Sequence, residues 1–199
     1  MKKILHVMSS PRGSLSFSIQ LGNVIVSKLQ ARYPDSILLE TDLTKRPLPH
    51  LDDDHVSAFL TPADKRTPAQ QAKNKESDQV VQEVMDADII VIGAPLYNYG
   101  IHSSLKIWID HLIRVGLTFR YTENGFEGLV KGKKTYIAMS SGAVYSDGPM
   151  QSYDFVVPYL KAVLAHIGIT DITVARVEGT AIPGIKEHAW EKGCNAIEI

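Results

Sequence analysis

The chain has 199 residues, 44% of them hydrophobic, with Lys+Arg 21 against Asp+Glu 22 and a formal net charge of -1. That is enough apolar material for one domain with a sizeable core, and a balance of charge without long blocks excludes the footprint of a nucleic-acid or anionic-membrane binder. A single cysteine, Cys194, excludes an intrachain disulfide and a zinc site of its own, and without a resolving partner it reads as a spare thiol.

Met1-Lys2-Lys3 leads directly into Ile4-Leu5-His6-Val7-Met8. That run is too short for a signal-peptide core, and no apolar run approaches a membrane span, so a cytoplasmic protein is expected. Ile4 to Met8 reads as a buried first strand. It is followed by Ser9-Ser10-Pro11-Arg12-Gly13-Ser14-Leu15-Ser16-Phe17-Ser18, which opens a helix marked by Ile19 or Leu21, Val24, Ile25 and Leu29 and ending before Pro34. Free N–H groups at a helix start, ringed by serine hydroxyls, suit a phosphate dianion. Neither G-x-x-x-x-G-K-[ST] nor G-x-G-x-x-G is present, which leaves the phosphate of a mononucleotide; serines that only cap the helix are the structural alternative.

Ile37, Leu38 and Leu39 carry a second strand within Ser36–Leu43. Residues 44–67, with Pro47, Pro49, Pro62 and Asp52-Asp53-Asp54, form a long excursion. It reads equally as a lid or interface element and as a solvated loop with a short helix around Val56 to Leu60. The acidic triplet lacks calcium-loop spacing and reads as a solvated face. Thr67-Pro68-Ala69-Gln70 is a capping box with proline at the first helical position, opening a polar helix whose buried stripe includes Val80, Val84 and Met85.

Ile89-Ile90-Val91-Ile92 is apolar without alternation, as in a central parallel strand covered on both faces. Gly93, Pro95 and Gly100 bracket Leu96-Tyr97-Asn98-Tyr99, and a helix follows, capped by Ser103 or Ser104, with Leu105, Trp108, Ile109, Leu112 and Ile113 on one face. Two aromatic rings beside a carboxamide, in a loop leaving the carboxyl end of a strand, are equipped to hold a flat heterocycle. The same segment also serves as an ordinary strand-to-helix connection.

Thr118 to Thr122 and Gly128-Leu129-Val130 flank Glu123-Asn124-Gly125 as a small hairpin. Lys133 to Ser140 is the next strand and runs into Ser140-Ser141-Gly142-Ala143. Phe155 to Ile167 follows as a helix with Pro158 in its first turn and Gly168 as its stop; Ile172 to Val177 is a fifth strand, and Pro183 to Ile199 holds one more short helix. With no repeat and no second domain, residues 1–199 read as one α/β unit. Its expected form is a flavodoxin-like, doubly wound, five-stranded parallel sheet with helices on both faces and three loops converging at carboxyl strand ends.

The seven histidines are scattered without metal-ligand spacing, and there is no Gly-x-Ser-x-Gly elbow, so metal and serine-hydrolase chemistry have little support. The loops instead supply a phosphate cradle, an aromatic and amide wall, and a glycine-containing strip where backbone approaches a ring closely. FMN needs those three features, and with it the chemistry belongs to the cofactor rather than to a catalytic side chain.

Ser9-Ser10, Ser16-Phe17-Ser18, Ala94-Pro95-Leu96-Tyr97-Asn98-Tyr99, Phe119-Arg120-Tyr121-Thr122-Glu123-Asn124-Gly125 and Gly132-Lys133-Lys134 together resemble the bacterial FMN-dependent NADH:quinone oxidoreductases, or azoreductases. The similarity spans nearly the whole chain in order. It implies a flavodoxin-like homodimer with active sites at the subunit interface, passing two electrons from NADH or NADPH through FMN to quinones or azo compounds by a ping-pong route. Carried over residue by residue, it assigns FMN contacts to Ser10, Ser16, Phe17, Ser18, Pro95, Leu96, Tyr97, Asn98, Tyr99, Ser140, Ser141, Gly142 and Ala143, and the substrate pocket to Tyr121 and Tyr145. Two departures stand out. The loop that typically reads Ser-Arg-Gly-Gly is here Ser140-Ser141-Gly142-Ala143, and the chain ends soon after Glu187-His188-Ala189 where relatives continue in a longer helix. A flavodoxin-type electron carrier is the alternative from another class, although such carriers dock through a strong net charge, which this chain lacks. A doubly wound scaffold without a cofactor is the third reading.

Overall fold

In the computed structural model, which describes residues 1–199, the apolar runs become five parallel strands: β1 (Lys3–Met8), β2 (Ile37–Asp42), β3 (Ile89–Pro95), β6 (Lys134–Ser140) and β7 (Asp171–Val177). They lie in the order β2-β1-β3-β6-β7, with Ile4 beside Ile89 and Ile89 beside Lys134. The expected order is thus the observed one. β4 (Phe119–Thr122) and β5 (Gly125–Gly128) form the separate antiparallel hairpin.

Alternate residues of each inner strand face opposite layers, as the pleat requires. Leu5, Val7, Ile90, Ile92, Ile137 and Met139 meet α3 (Pro68–Asp86), α4 (Ser103–Leu112) and α5 (Val157–Ile167). Ile4, Ile89, Val91, Tyr136 and Ala138 meet α1 (Phe17–Arg32) and α6 (Lys186–Asn195). Each fully buried large side chain, such as Trp108, Leu105 or Leu112 on α4, contributes roughly 2 to 3 kcal/mol of hydrophobic stabilisation. No helix is long and apolar enough to cross a membrane.

The capping box at Thr67 forms as expected, its side chain accepting the Gln70 N–H. Three local expectations are corrected. α4 is capped not by a serine but by His102, whose Nδ1 accepts the Ser104 N–H. Met85 is exposed, and Val81 takes the buried position beside Val80 and Val84. α5 starts at Val157 rather than Phe155, because Asp154 Oδ1 accepts the N–H groups of both Val156 and Val157 at 3.0 Å.

Two close approaches set how layers meet. His6 in β1 is fully buried and occupies the space a Cβ on Gly22 of α1 would need, 2.4 Å from its Nε2. Burial pushes the His6 ring down to about 4. Glu40 lies 3.9 Å from Nδ1, but its carboxylate is half exposed and too well solvated to hold a proton on the ring. At the other approach, a Cβ on Gly128 would stand 2.1 Å from the Gly168 backbone nitrogen, so the hairpin rests directly on the left-handed turn (φ 102°) that ends α5.

The 44–67 excursion carries α2 (Asp53–Leu60), which docks on α3 and meets α4 edge to face through His55 and Phe59 against His111. The acidic triplet is partly structural: Asp52 caps α2 by accepting the His55 N–H and pairs with Lys73 at 2.7 Å. Beneath α2 lies a buried polar cluster. His111 Nε2 donates to the Pro49 carbonyl at 2.8 Å, and Ser77 Oγ donates to the His111 carbonyl at 2.7 Å. The Arg114 guanidinium, bonded to Ser77 and Asp78, sits 3.8 Å over the Phe59 ring.

Candidate functional site

Three connections leave the carboxyl ends of β1, β3 and β6, where an open parallel sheet places its ligands. They span residues 9–16, 96–102 and 141–156.

In the first, Ser16 stands at the N-cap of α1, yet its side chain makes no capping bond, and the first helical bond is Gln20 N–H to the Ser16 carbonyl at 3.0 Å. The N–H groups of Phe17, Ser18 and Ile19 therefore have no acceptor in the chain. No acidic residue occupies this first turn. Unpaired donors at the positive end of a helix dipole, with no competing carboxylate, form an anion cradle. The Ser16 and Ser18 hydroxyls bond each other at 3.0 Å at its edge. Ser10 is buried, its Oγ accepting the Arg12 N–H, and Ser9 Oγ donates to the Gly93 carbonyl at 2.7 Å, fixing the loop to β3. Ser104 Oγ donates in turn to the Ser9 carbonyl, which ties the start of α4 to the same loop.

In the second connection, the Leu96 N–H donates to the Ser140 carbonyl at 2.8 Å just beyond Pro95, the last residue of β3, so the loops after β3 and β6 are bonded to each other. Tyr97 and Gly100 exchange two backbone bonds across a tight turn whose central residues, Asn98 (φ 49°) and Tyr99 (φ 69°), are both left-handed. Asn tolerates that region; a tyrosine there costs about 1 to 2 kcal/mol unless its surroundings hold it. They do: the Tyr99 carbonyl accepts the Phe155 N–H, and its ring lies 6.5 Å from Tyr145 and 5.4 Å from Tyr153. Asn98 is exposed. Tyr97 turns the other way, edge to face with His102 at 5.7 Å.

The third connection is held against residues 177–181, a segment the sequence did not single out. Ser141 N–H donates to the Val177 carbonyl, Gly179 N–H to the Ala143 carbonyl and Ala181 N–H to the Gly142 carbonyl, at 3.0, 3.1 and 2.9 Å. The Ser141 hydroxyl is spent inside this loop, donating to the Ala143 carbonyl at 2.7 Å. Gly142 is exposed, while Ser140 and Ser141 are buried. Tyr145 is only 7% exposed, and burial, followed by the neighbouring Tyr99, raises its phenol above the ordinary value.

The structure brings together all the predicted positions except one. Tyr121 is 76% exposed on the β4–β5 hairpin, and Phe119 and Phe126 of that hairpin pack on His166 in the last turn of α5, at 4.4 and 4.3 Å. α5 begins at the end of the sheet where Tyr145 lies and finishes at the opposite end, so one chain does not unite Tyr121 with Tyr145. Tyr153 and Phe155 were missed because their segment carries no periodicity; the signal available was Asp154 placed three residues before Val157-Pro158, an Asx cap. No group of three His, Cys, Asp or Glu side chains converges as a metal site.

Residues 2–198 match a family described as having the flavodoxin-like fold. The chain is 49% identical over 182 residues to the FMN-dependent NADH:quinone oxidoreductase of Herminiimonas arsenicoxydans, covering 92% of this chain and 89% of that protein. It is 47% identical over 199 residues to the protein of the same name from Rhizobium leguminosarum bv. trifolii (strain WSM2304), covering 100% and 96%. Among solved structures it resembles an azoreductase from Bacillus anthracis str. Sterne with a TM-score of 0.91 at 28% identity, covering 98% of this chain and 96% of that one. An FMN-dependent NADH-azoreductase from Bacillus anthracis str. Ames Ancestor, solved in complex with FMN, gives a TM-score of 0.85 at 25% identity, covering 98% and 97%.

Proposed function

The chain belongs to the family with the flavodoxin-like fold, and from that premise we propose that it is an FMN-dependent oxidoreductase carrying two electrons from NADH or NADPH to quinones and azo compounds by a ping-pong route. The observation that carries this reading is the acceptor-free N–H row of Phe17, Ser18 and Ile19, set beside a turn that holds Asn98 and Tyr99 in left-handed backbone. The residues present fit FMN: a dianion needs those donors, and a ring edge that both donates and accepts needs a carboxamide. When bound, FMN supplies a ring that takes hydride and returns two electrons.

The chain's own residues then have separate tasks. Phe17, Ser18 and Ile19 N–H groups and the Ser16 and Ser18 hydroxyls hold the phosphate, with Ser10 shaping the loop behind it. Pro95, Leu96, Tyr97 and Asn98 would border the ring, with the Asn98 amide orienting it. The backbone of Ser140 to Ala143 would complete its binding. Tyr99 and Tyr145 would exclude water from the place where nicotinamide and quinone bind in turn. Tyr121 joins this pocket from a second copy of the chain, which makes the homodimer the working unit, and the exposed rings of Tyr153 and Phe155 lie beside Tyr99 where that copy docks.

The test is the visible spectrum of the protein after addition of FMN, followed by anaerobic NADH and then a quinone. Binding, bleaching and recovery are expected. Failure to take up FMN removes the reading in favour of a scaffold; uptake with no bleaching by NADH or NADPH favours an electron carrier.

A further inference from the structure

The two halves of the 141–156 connection meet at one guanidinium outside it. Arg176, next to last in β7, donates from Nη2 to Asp154 Oδ2 at 2.6 Å and from Nη1 to Glu178 Oε1 at 3.1 Å. Both carboxylates are nearly enclosed, their side chains 5% and 9% exposed, and Arg176 itself is 20% exposed. Each carboxylate also holds backbone. Glu178 Oε1 accepts the Tyr145 N–H at 2.9 Å, and Asp154 Oδ1 accepts the two N–H groups that start α5. Immediately before that start, the Phe155 N–H donates to the carbonyl of the strained Tyr99. One cation therefore ties down, through two carboxylates, both segments that flank the Tyr99–Tyr145 ring pair.

A surface ion pair contributes little, because water screens it. This one is different in kind. Without the guanidinium, two desolvated like charges share a confined space, and both become poor acceptors held in poor geometry. The planar fork matters as well as the charge: two Nη atoms serve two separate acceptors, which a lysine ammonium on its flexible stem reproduces badly. His188 and Lys192 line the same depression between β7 and α6, but neither bonds Asp154 or Glu178.

We infer that Arg176 is a positioning residue for the face of the site that nicotinamide and quinone share, holding Tyr145 against Tyr99 through Glu178 and fixing the Tyr99 turn through Asp154 and Phe155. This rests on the oxidoreductase reading above. Arg176 makes no bond to the helix N-terminal cradle or to Asn98, so its effect falls on the binding of nicotinamide and quinone more than on retention of FMN.

The experiment is a double-mutant cycle between Arg176→Gln and Tyr145→Leu, with Arg176→Lys as a second probe that keeps the charge. FMN dissociation constant, rate of anaerobic reduction by NADH and quinone KM are measured for each. Arg176→Gln is expected to raise quinone KM about tenfold, and the NADH concentration for half-maximal reduction with it because both bind at the same place, while the FMN constant and the limiting reduction rate at saturating NADH stay within about twofold, and the KM effect should largely vanish in the Tyr145→Leu background. Arg176→Lys should show most of the same loss if the fork is what counts. Additive KM effects, or a loss confined to FMN affinity, overturn the proposal; so does an Arg176→Lys protein that folds and keeps native KM while Arg176→Gln does not fold. Failure of the oxidoreductase reading is recognised separately, because then the unaltered protein itself shows no NADH-driven reduction.

Discussion

The turn at Asn98 and the cluster beneath α2 both gather polar groups among aromatic rings, and they dispose of them in opposite ways. At the turn, Asn98 is exposed, N–H groups at the start of α1 have no acceptor, and two residues are held at positive φ. Under α2, His111 Nε2 is committed to Pro49, Ser77 to His111, and Arg114 to Ser77 and the Phe59 face, with the His111, Ser77 and Arg114 side chains buried and His111 Nδ1 and His55 Nε2 left without a partner. A cluster whose polar groups are sealed in and largely bonded to one another fixes structure; one that leaves a row of donors free beside a strained, exposed turn is built to receive something. That difference separates the two more sharply than their composition, since histidine, arginine and aromatic rings under α2 look the more reactive on paper.

The comparison breaks first at Arg114. Arg114→Ala removes a buried stem stacked on Phe59 together with its bonds to Ser77 and Asp78, and should cost about 3 to 5 kcal/mol of unfolding free energy. FMN affinity of the folded fraction should not change. Urea titration paired with flavin-binding fluorescence checks both, and a variant of native stability with weakened FMN binding would reassign the α2 cluster to the site.

A pH titration of stability sharpens the same contrast from within the core. His6 has no hydrogen-bond partner on either ring nitrogen, and its folded value of about 4 lies below the ordinary 6.5. Between those values the unfolded chain binds the proton on His6 and the folded chain does not, so the contribution of His6 to stability falls as pH drops from about 6.5 to about 4 and is constant outside that window. The full loss is about 3 kcal/mol. Unfolding midpoints measured from pH 7.5 to pH 4 should show this slope in the native protein and a shallower one in His6→Asn; equal slopes would place the titration elsewhere.

At the turn itself, Asn98→Gly keeps the positive φ while deleting the amide. It should weaken FMN binding by about 1 to 1.5 kcal/mol, roughly tenfold, with stability unchanged within about 0.5 kcal/mol. Asn98→Ala is the poorer test because alanine adds left-handed strain. Unchanged FMN affinity in the glycine variant would return Asn98 to a turn-forming role.

The smallest effect on folding belongs to Tyr121→Ser, within about 0.5 kcal/mol because the ring is solvated. Quinone KM should nevertheless rise several-fold, and only in the dimeric enzyme. A native KM, or the same change in a sedimentation-verified monomer, would remove Tyr121 from the pocket.

The strands, the helices and the three converging loops were legible because unbroken apolar runs and period-3.6 faces alternate clearly in this chain: Ile89 to Ile92 reads as a central strand, and Leu105, Trp108, Ile109 and Leu112 as one face of α4. What escaped lies where one side chain overrides a pattern. His102 displaced the serines as the cap of α4 because its Nδ1 reaches the Ser104 N–H. Asp154 delayed α5, and Met85 yielded its place in the core to Val81. At the site, the serine cradle and the Tyr97-Asn98-Tyr99 wall were visible as composition. The bracing by Val177 to Ala181 and the Arg176 fork was not, because backbone bonds between distant loops leave no mark on either local sequence.

That bracing bears on the order in which the chain is made. The Ser141–Tyr145 strip acquires its partners only when Val177–Ala181 has arrived and β7 has joined β6. Chains normally emerge from the ribosome amino end first, and their early segments settle while later ones are still missing. A nascent chain that has cleared β6 but not β7 already holds the Phe17–Ile19 donors, but nothing yet pins the third side of the site or, through Asp154, the Tyr99 turn. Ligand capture is thereby deferred to the closing stage of synthesis, and a product truncated before Val177 retains most of the sheet without a finished pocket.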